Sequence, residues 1–298
     1  MQVNIYQVDA FTDTPFCGNP AGVVPDANEL SEANMQNIAR EMNLSETAFI
    51  VPIDEDNYKV KFFTPICEVN LCGHATIATF YTLAKRGYIR SIDNGVKKVF
   101  QDTKAGKLLV EIYYRESNVY KVMMEQGQPI SYGYEKSIDE LLDAFGITKE
   151  DLGTEWNKVM PEIISTGLPD IILPIKEKDI LDNLDVDFSK LETVCKELNV
   201  IGVHAFYLPK DESKLVYTRN FAPVVGIREE AATGTANGAL LYYLKKNKLL
   251  KDNNIIAMQG EALNRPSRIH LKIEECCGRQ IVKVGGTAKI GMEGILCI

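Results

Sequence analysis

The amino-acid sequence predicts an α+β fold made of two related halves, each a curled sheet around one helix. Two observations predict the duplication. Residues 40–52 read R-E-M-N-L-S-E-T-A-F-I-V-P, and residues 196–209 read K-E-L-N-V-I-G-V-H-A-F-Y-L-P. Phe63-Thr64-Pro65 is answered by Phe221-Ala222-Pro223, and Cys72-Gly73-His74-Ala75 by Thr233-Gly234-Thr235-Ala236, at spacings that drift by only a few residues. A third observation gives the class: short alternating strands outnumber helices, and one long helix per half follows a glycine. The expected division is residues 1–115 for an N-terminal lobe and 116–298 for a C-terminal lobe. The last strand is free to cross over, and a cleft is expected between the lobes. Matching Ala48-Phe49 to Ala205-Phe206 sets Glu46 opposite Val203, an acid in one half against an apolar residue in the other.

The elements follow in order. Residues 3–11 alternate as a strand, Thr14-Pro15 and Gly18-Asn19-Pro20 mark a loop, and residues 21–24 read as a second short strand. Ser31 is the N-cap of a helix to Met42, with Met35, Ile38, Ala39 and Met42 on one face. Strands are expected at 46–51 and 58–63, joined by an acidic turn at 54–57. A helix runs from Gly73 to Lys85 and stops at Gly87. Strands near 96–101 and 107–114 close the first half. The second half repeats strand, turn at 167–169, strand, helix near 187–198, strand pair, helix near 235–246, strand pair. Residues 134–160 have helical patterning at Leu141, Leu142, Phe145 and Leu152 and no placed counterpart, as an insertion would.

Composition narrows the function classes. Of the 298 residues, 45% are hydrophobic and 25% charged, as in a globular enzyme-sized chain with room for two cores. A net charge of −8 lacks the basic footprint that nucleic-acid binding requires. It leaves room for a small anionic substrate held by a local positive site. No stretch of 18 apolar residues predicts a membrane span, and the N-terminus reads as a strand and not as a secretory signal, so a cytoplasmic location is expected. The seven cysteines (Cys17, Cys67, Cys72, Cys195, Cys276, Cys277 and Cys297) have no regular spacing and read as reduced thiols. No C-x-x-C pair and no paired-histidine spacing occur, so no metal is expected. Nucleotide fingerprints and the G-x-S-x-G elbow are missing too, which favours a reaction without cofactor.

Four features carry chemistry. Gly73 and Gly234 each sit at a helix start, where unpaired N–H groups and the helix dipole favour an anion or a developing enolate. The plainer use of each glycine is a tight turn; the repetition favours function. Glu46 lies where the chain leaves a helix and enters a strand, among small and apolar neighbours suited to a proton shuttle. Its structural alternatives are a solvated loop acid or a partner for Arg40. His74 follows Gly73 and is placed to hydrogen-bond a substrate or position a proton. Cys72 precedes it at the helix start, where a thiolate is favoured, although packing is the commoner fate of such a thiol. Glu230 is a candidate second acid, with Glu229 beside it as a sign of a merely charged loop.

Together the motifs resemble the phenazine-biosynthesis PhzF-like family of the diaminopimelate epimerase superfamily. The resemblance rests on Val8-Asp9-Ala10-Phe11-Thr12, Gly18-Asn19-Pro20-Ala21-Gly22-Val23, Leu44-Ser45-Glu46-Thr47-Ala48-Phe49, Phe63-Thr64-Pro65, Glu68-Val69-Asn70-Leu71-Cys72-Gly73-His74-Ala75-Thr76, Ala232-Thr233-Gly234-Thr235-Ala236, and Gln259-Gly260 with Arg265-Pro266-Ser267. It implies two diaminopimelate-epimerase-like lobes, each a barrel-like, mostly antiparallel sheet around a central helix, with the site between them. It implies cofactor-independent isomerisation with Glu46 as the acid/base. Ser45, Gly73, His74, Gly234 and Thr235 fall on the family's cleft residues, and Glu230 on an aspartate. The family's E-D-P-A-T-G-S-A reads Glu229-Glu230-Ala231-Ala232-Thr233-Gly234-Thr235-Ala236 here. Both the longer acid and the added methyl crowd the pocket against the phenazine precursor. Related two-cysteine epimerases use one thiol per lobe; Cys72 matches the first, and Ala231 is read as the second position.

The expected function is therefore a PhzF-like isomerase that moves a proton on a small acid. Glu46, His74 and Glu230 are the catalytic residues, and Ser45, Cys72, Gly73, Gly234, Thr235 and Asn19 bind substrate, with no cofactor. The resemblance is compatible with a homodimer. An epimerase or dehydratase using Glu46 with Cys72, and a non-catalytic protein binding a small acid or another protein, are the alternatives.

Overall fold

The computed structural model describes residues 1–134, 136–210, 214–276 and 278–298, so Cys277, counted above among the thiols, lies outside the described residues. The chain forms two compact units, Met1–Glu125 with Gly285–Ile298, and Gln126–Val284. The expected boundary at residue 115 differs from this for a local reason. It falls inside a hairpin in which Tyr114 pairs with Val119 and Arg115 with Asn118, so the first unit runs on to Glu125.

The first unit contains β1 (Gln2–Ala10), β2 (Asn19–Val24), α1 (Glu32–Met42), β3 (Thr47–Pro52), β4 (Asn57–Phe63), β5 (Glu68–Val69), α2 (Gly73–Lys85), β6 (Gly95–Thr103), β7 (Gly106–Arg115) and β8 (Asn118–Glu125). The final strand of the chain, Ala288–Cys297, returns to pair antiparallel with β1. β1 and β2 are antiparallel, β2 and β3 parallel, β3 and β4 antiparallel, β4 and β6 parallel, and β6 and β7 antiparallel.

The second unit contains β9 (Ile130–Gly133), α3 (Asp139–Phe145), β10 (Glu162–Ser165), β11 (Pro169–Pro174), α4 (Lys178–Asp182), α5 (Phe188–Leu198), β12 (Gly202–Tyr207), β13 (Leu215–Ala222), β14 (Ile227–Glu230), α6 (Gly234–Lys246), β15 (Asn254–Gln259) and β16 (Ser267–Cys276), and β17 (Arg279–Gly286) follows. From β10 to β16 the pairings run antiparallel, parallel, antiparallel, parallel, antiparallel. The two units thus share one topology, and the duplication read from short motifs is a duplication of the sheet. Helix α3 packs into the core beside α5, with Leu141, Leu142 and Phe145 buried against Leu191, Val194 and Phe221.

The helices divide into outer and central. Ser31 caps α1 by accepting from the Asn34 N–H, and Asn43 ends it in the left-handed conformation. Its Met35, Ile38 and Ala39 stripe packs on Phe49 and Phe63. Helix α5 is built alike, capped by Asp187 and ended by left-handed Asn199. Helices α2 and α6 have no polar stripe of that kind. They are buried on nearly all sides, from His74 to Ala84 in α2 with only Tyr81 part-exposed, as suits a helix at the centre of a sheet.

The register corrects the internal alignment by one residue. Thr47 pairs with Phe63 and Val203 with Phe221. The matched caps Asn43 and Asn199 give the same spacing. The counterpart of Glu46 is therefore Gly202 and not Val203. A slip of one residue moves a side chain to the other face of a sheet, so the difference decides which groups share a face. A Cβ at Gly202 would lie 1.9 Å from the Phe221 carbonyl oxygen. Gly202→Ala is expected to cost about 1–3 kcal/mol, because backbone and not a flexible side chain must give way. A lower urea midpoint with an unchanged slope checks this; an unchanged midpoint refutes it.

Candidate active site

In the first unit the chain brings Glu46, Cys72 and His74 together. Glu46 ends the α1–β3 connection, and its backbone oxygen accepts from the Gly22 N–H, which fixes it beside β2. His74 is the second residue of α2, and Cys72 is its N-cap. The Glu46 Oε2 lies 3.3 Å from His74 Nε2, the distance of an ion pair, without the alignment of a hydrogen bond. The glutamate side chain keeps 18% exposure against 4% for the histidine, while the Oε2 that faces the imidazole is itself buried. The Cys72 Sγ lies beside the same ring, 3.4 Å from His74 Nδ1 and 4.0 Å from Nε2. One ligand-type atom from each of the three residues lies within 4.8 Å of the others. The three positions follow no linear metal motif, so sequence spacing gave no sign of this grouping.

Cys72 makes no side-chain cap bond at the start of α2, so its thiol does not consume the first-turn N–H groups. Ser45 is exposed beside Glu46, Gly73 is half-buried, and Asn19 is buried at the start of β2, paired with Ala10. Gly18 before it needs its freedom: it has φ +71°, and a Cβ would come within 2.2 Å of the Ala10 oxygen.

The second unit gathers its own set at the start of α6. Thr233 is the N-cap and, like Cys72, makes no cap bond with its side chain. Its hydroxyl donates to Glu230 at 2.8 Å. Gln259, buried at the end of β15, donates to the Glu230 backbone oxygen and accepts from Asn237 Nδ2, both at 2.8 Å. Gly234 is buried and Thr235 half-buried. Glu229 has a separate duty, a two-pronged ion pair with Arg219 at 2.9 and 2.8 Å. The helix starts align Cys72 with Thr233, so the reading of Ala231 as the second-thiol position is corrected to Thr233. Neither Ala231 nor Thr233 is a thiol.

Sequence reasoning missed two buried polar groups here. Asp170, 3% exposed on β11, sits beside Gly202, whose N–H it accepts. Burial, reinforced by the charge of Glu230, pushes its carboxyl up to about 7. His204 on β12 is fully buried, with Nδ1 2.9 Å from the Asn220 Oδ1. Burial pushes it down to about 4 against the opposing pull of Asn220 and Asn237. The available signal was polar residues inside strands that otherwise read Ile-Ile-Leu and Val-x-Ala-Phe.

These two groups predict opposite pH effects on stability. Asp170 is raised from 3.8, so its contribution is complete below that value and is lost as pH rises through about 7. His204 is lowered from 6.5, so its contribution is complete above that value and is lost as pH falls through about 4. Asp170→Asn is therefore expected to gain stability relative to the parent protein between about pH 5 and about pH 8. Urea midpoints across that range test it; a constant difference between the two proteins would count against a titrating Asp170.

With the geometry in place, the chain can be compared with known proteins. A family model described as phenazine biosynthesis-like protein, PhzC-PhzF, matches residues 8–294. A relative from Clostridium acetobutylicum, named as an uncharacterized isomerase, is 39% identical over 309 residues, covering 99% of this chain and 98% of its own. The uncharacterized isomerase YddE of Escherichia coli K12 is 33% identical over 304 residues, covering 97% of each. The crystal structure of a PhzF-family phenazine biosynthesis protein from Bacillus anthracis matches with a TM-score of 0.86 at 29% identity, covering 100% of both chains. No helix among the described residues is long and apolar enough to cross a membrane.

Proposed function

The chain belongs to the PhzC-PhzF family of phenazine biosynthesis-like proteins, and we propose that it is a cofactor-independent isomerase that moves a proton on a small acid. The observation that carries this reading is the part-exposed Glu46 held 3.3 Å from the buried His74 at the N-terminus of α2. Glu46 takes a proton from a carbon acidified by a neighbouring carbonyl, carboxyl or conjugated system. The C–H electron pair passes into that system, and the proton rides on the carboxyl until it is returned to another carbon of the same molecule. His74 orients the carboxyl. First-turn N–H groups of α2 suit the carboxylate or enolate of such a substrate. Glu230, Gly234 and Thr235 carry the matching role in the second unit, and Ser45 and Asn19 border the set in the first.

A placed acid/base contributes about 10²–10⁴-fold to rate. Glu46→Gln is expected to lose at least about 100-fold of solvent-proton exchange while keeping its unfolding midpoint. The check is NMR in D₂O on pooled small cyclic and acyclic amino and hydroxy acids, with both proteins run side by side. Deuterium incorporation at an undiminished rate in the variant rules the reading out.

A second reading, an epimerase or dehydratase that uses Glu46 with Cys72, is favoured by the thiol 3.4 Å from His74 Nδ1. Cys72→Ser separates the two. The one-base isomerase is expected to keep its exchange rate within about tenfold, whereas a second acid/base lost at that position removes about 10²–10⁴-fold.

A further inference from the structure

Two of the motifs read from the sequence, Gln259-Gly260 and Arg265-Pro266-Ser267, meet in the second unit and grip the turn that carries Glu230. Gln259 is 1% exposed and uses all four of its hydrogen-bonding positions there. Its Nε2 donates to the Glu230 backbone oxygen at 2.8 Å and to the Thr233 hydroxyl at 3.1 Å. Its Oε1 accepts from the Thr233 N–H at 3.3 Å and from Asn237 Nδ2 at 2.8 Å. Ser267, fully buried, donates to the Ala231 oxygen at 2.9 Å. The backbone partners fix which end of the amide is which, because a carbonyl oxygen only accepts and a backbone N–H only donates. The hydroxyl is fixed in turn. Thr233 Oγ1 receives an N–H from Gln259, so its single proton goes to Glu230 Oε2 at 2.8 Å. Engaged on both sides, Thr233 makes no cap bond to α6, although threonine is a favoured N-cap.

The first unit shows that this relay is no general demand of the fold. Gln101 holds the matching place: its Oε1 accepts from Thr76 Oγ1 at 3.2 Å, as Gln259 Oε1 accepts from Asn237, and each partner lies four residues past its helix N-cap. There the N-cap is Cys72, which offers no hydroxyl, and Gln101 Nε2 is buried with no partner among the described residues. We propose that Gln259 is a positioning residue for Glu230: it turns the Thr233 hydroxyl proton onto Oε2, holds that oxygen as a fixed acceptor, and so sets the direction in which the carboxylate meets the substrate. This rests on the isomerase reading, in which Glu230 serves the substrate. Gln259 acts through Thr233 and touches no reacting atom itself.

The test separates the hydroxyl from the backbone grip. Thr233→Val keeps the shape of the side chain and both backbone bonds of Gln259 while deleting the relay. It is expected to slow solvent-deuterium exchange of a turnover substrate at least about tenfold, the weight of one hydrogen bond to a charged group. Thr233→Ser, which returns the hydroxyl, is expected to recover most of that rate. A purely structural Gln259 needs only its backbone bonds, so full exchange in Thr233→Val overturns the proposal, as does a Thr233→Ser as slow as the valine variant. Should Thr233→Val fail to fold, Gln259→Glu takes its place: it keeps the accepted bonds and gives up the amide donors, and full exchange there overturns the proposal equally. A second measurement needs no substrate. The glutamine side-chain amides of the full chain are isotope-labelled for NMR, and that of Gln259 is identified by its absence in Gln259→Glu. Both of its protons are expected to resist exchange with water in the parent protein, and one to lose that protection in Thr233→Val and regain it in Thr233→Ser. An amide indifferent to Thr233 overturns the relay whatever the activity. A relay seen by NMR in a protein that exchanges no acid counts against the isomerase reading and leaves the relay standing.

Discussion

The burial of one helix inside each sheet is the constraint on which the rest of this protein depends. A helix with apolar and small residues on all faces has nowhere to go except the centre of a sheet curled around it. Once α2 is there, only its ends are available for chemistry. Its first turn then delivers three things to one place: N–H groups that Cys72 leaves uncapped, a sealed imidazole at His74, and the thiol itself. Glu46 meets them because β3 begins one residue later and runs along the same sheet. The site is thus a consequence of packing, assembled at the one point where a central helix stops being surrounded.

That origin explains what was legible in the sequence. Elements declared themselves where local chemistry is strong. Ser31 before a three-four stripe gave α1, and Gly73 and Gly87 bracketed α2 nearly to the residue. The duplication was visible because the motifs that repeat are turn and cap signals, which tolerate little change. Register was harder. Two Ala-Phe pairs invited an alignment that is one residue off, and only the ladder pairs Thr47–Phe63 and Val203–Phe221, with the matched caps Asn43 and Asn199, show the slip. The hairpin across residue 115 hid the unit boundary for a similar reason: pairing partners are not a local property.

The candidate residues of the first unit were legible, and those of the second were partly dark. Glu46, Cys72, His74 and Glu230 stand out as polar residues at element ends. Asp170 and His204 do not, because they sit within strands whose neighbours suggest nothing but core. A buried charge or imidazole is costly unless paired or neutral, and both here are driven toward neutrality, Asp170 up and His204 down. Their one trace in the sequence is a polar residue inside an otherwise apolar strand. Glu229 shows the converse. Its position beside Glu230 made the pair look like one charged loop, yet the two acids serve different ends, one locked to Arg219 and the other joined to Thr233.

The corrected register also shows how the two halves diverged. In the first unit Gly22 lies beside Thr47, so Ala21 precedes it on β2 and Glu46 precedes Thr47 on the other strand. In the second, Ile171 lies beside Val203, with Asp170 and Gly202 in the preceding positions. The same two places therefore hold an alanine and an acid in one unit, and an acid and a glycine in the other. The acid has changed strands, and its surroundings have changed with it. Glu46 keeps some exposure and an imidazole partner. Asp170 is sealed, and the nearby charge of Glu230 favours its neutral form. Below about pH 7 a protonated Asp170 leaves the second unit with one negative charge near the start of α6 where the side chains alone would count two. One duplicated scaffold thereby yields a part-exposed acid beside an imidazole in one unit and a sealed acid whose neutral form is favoured in the other.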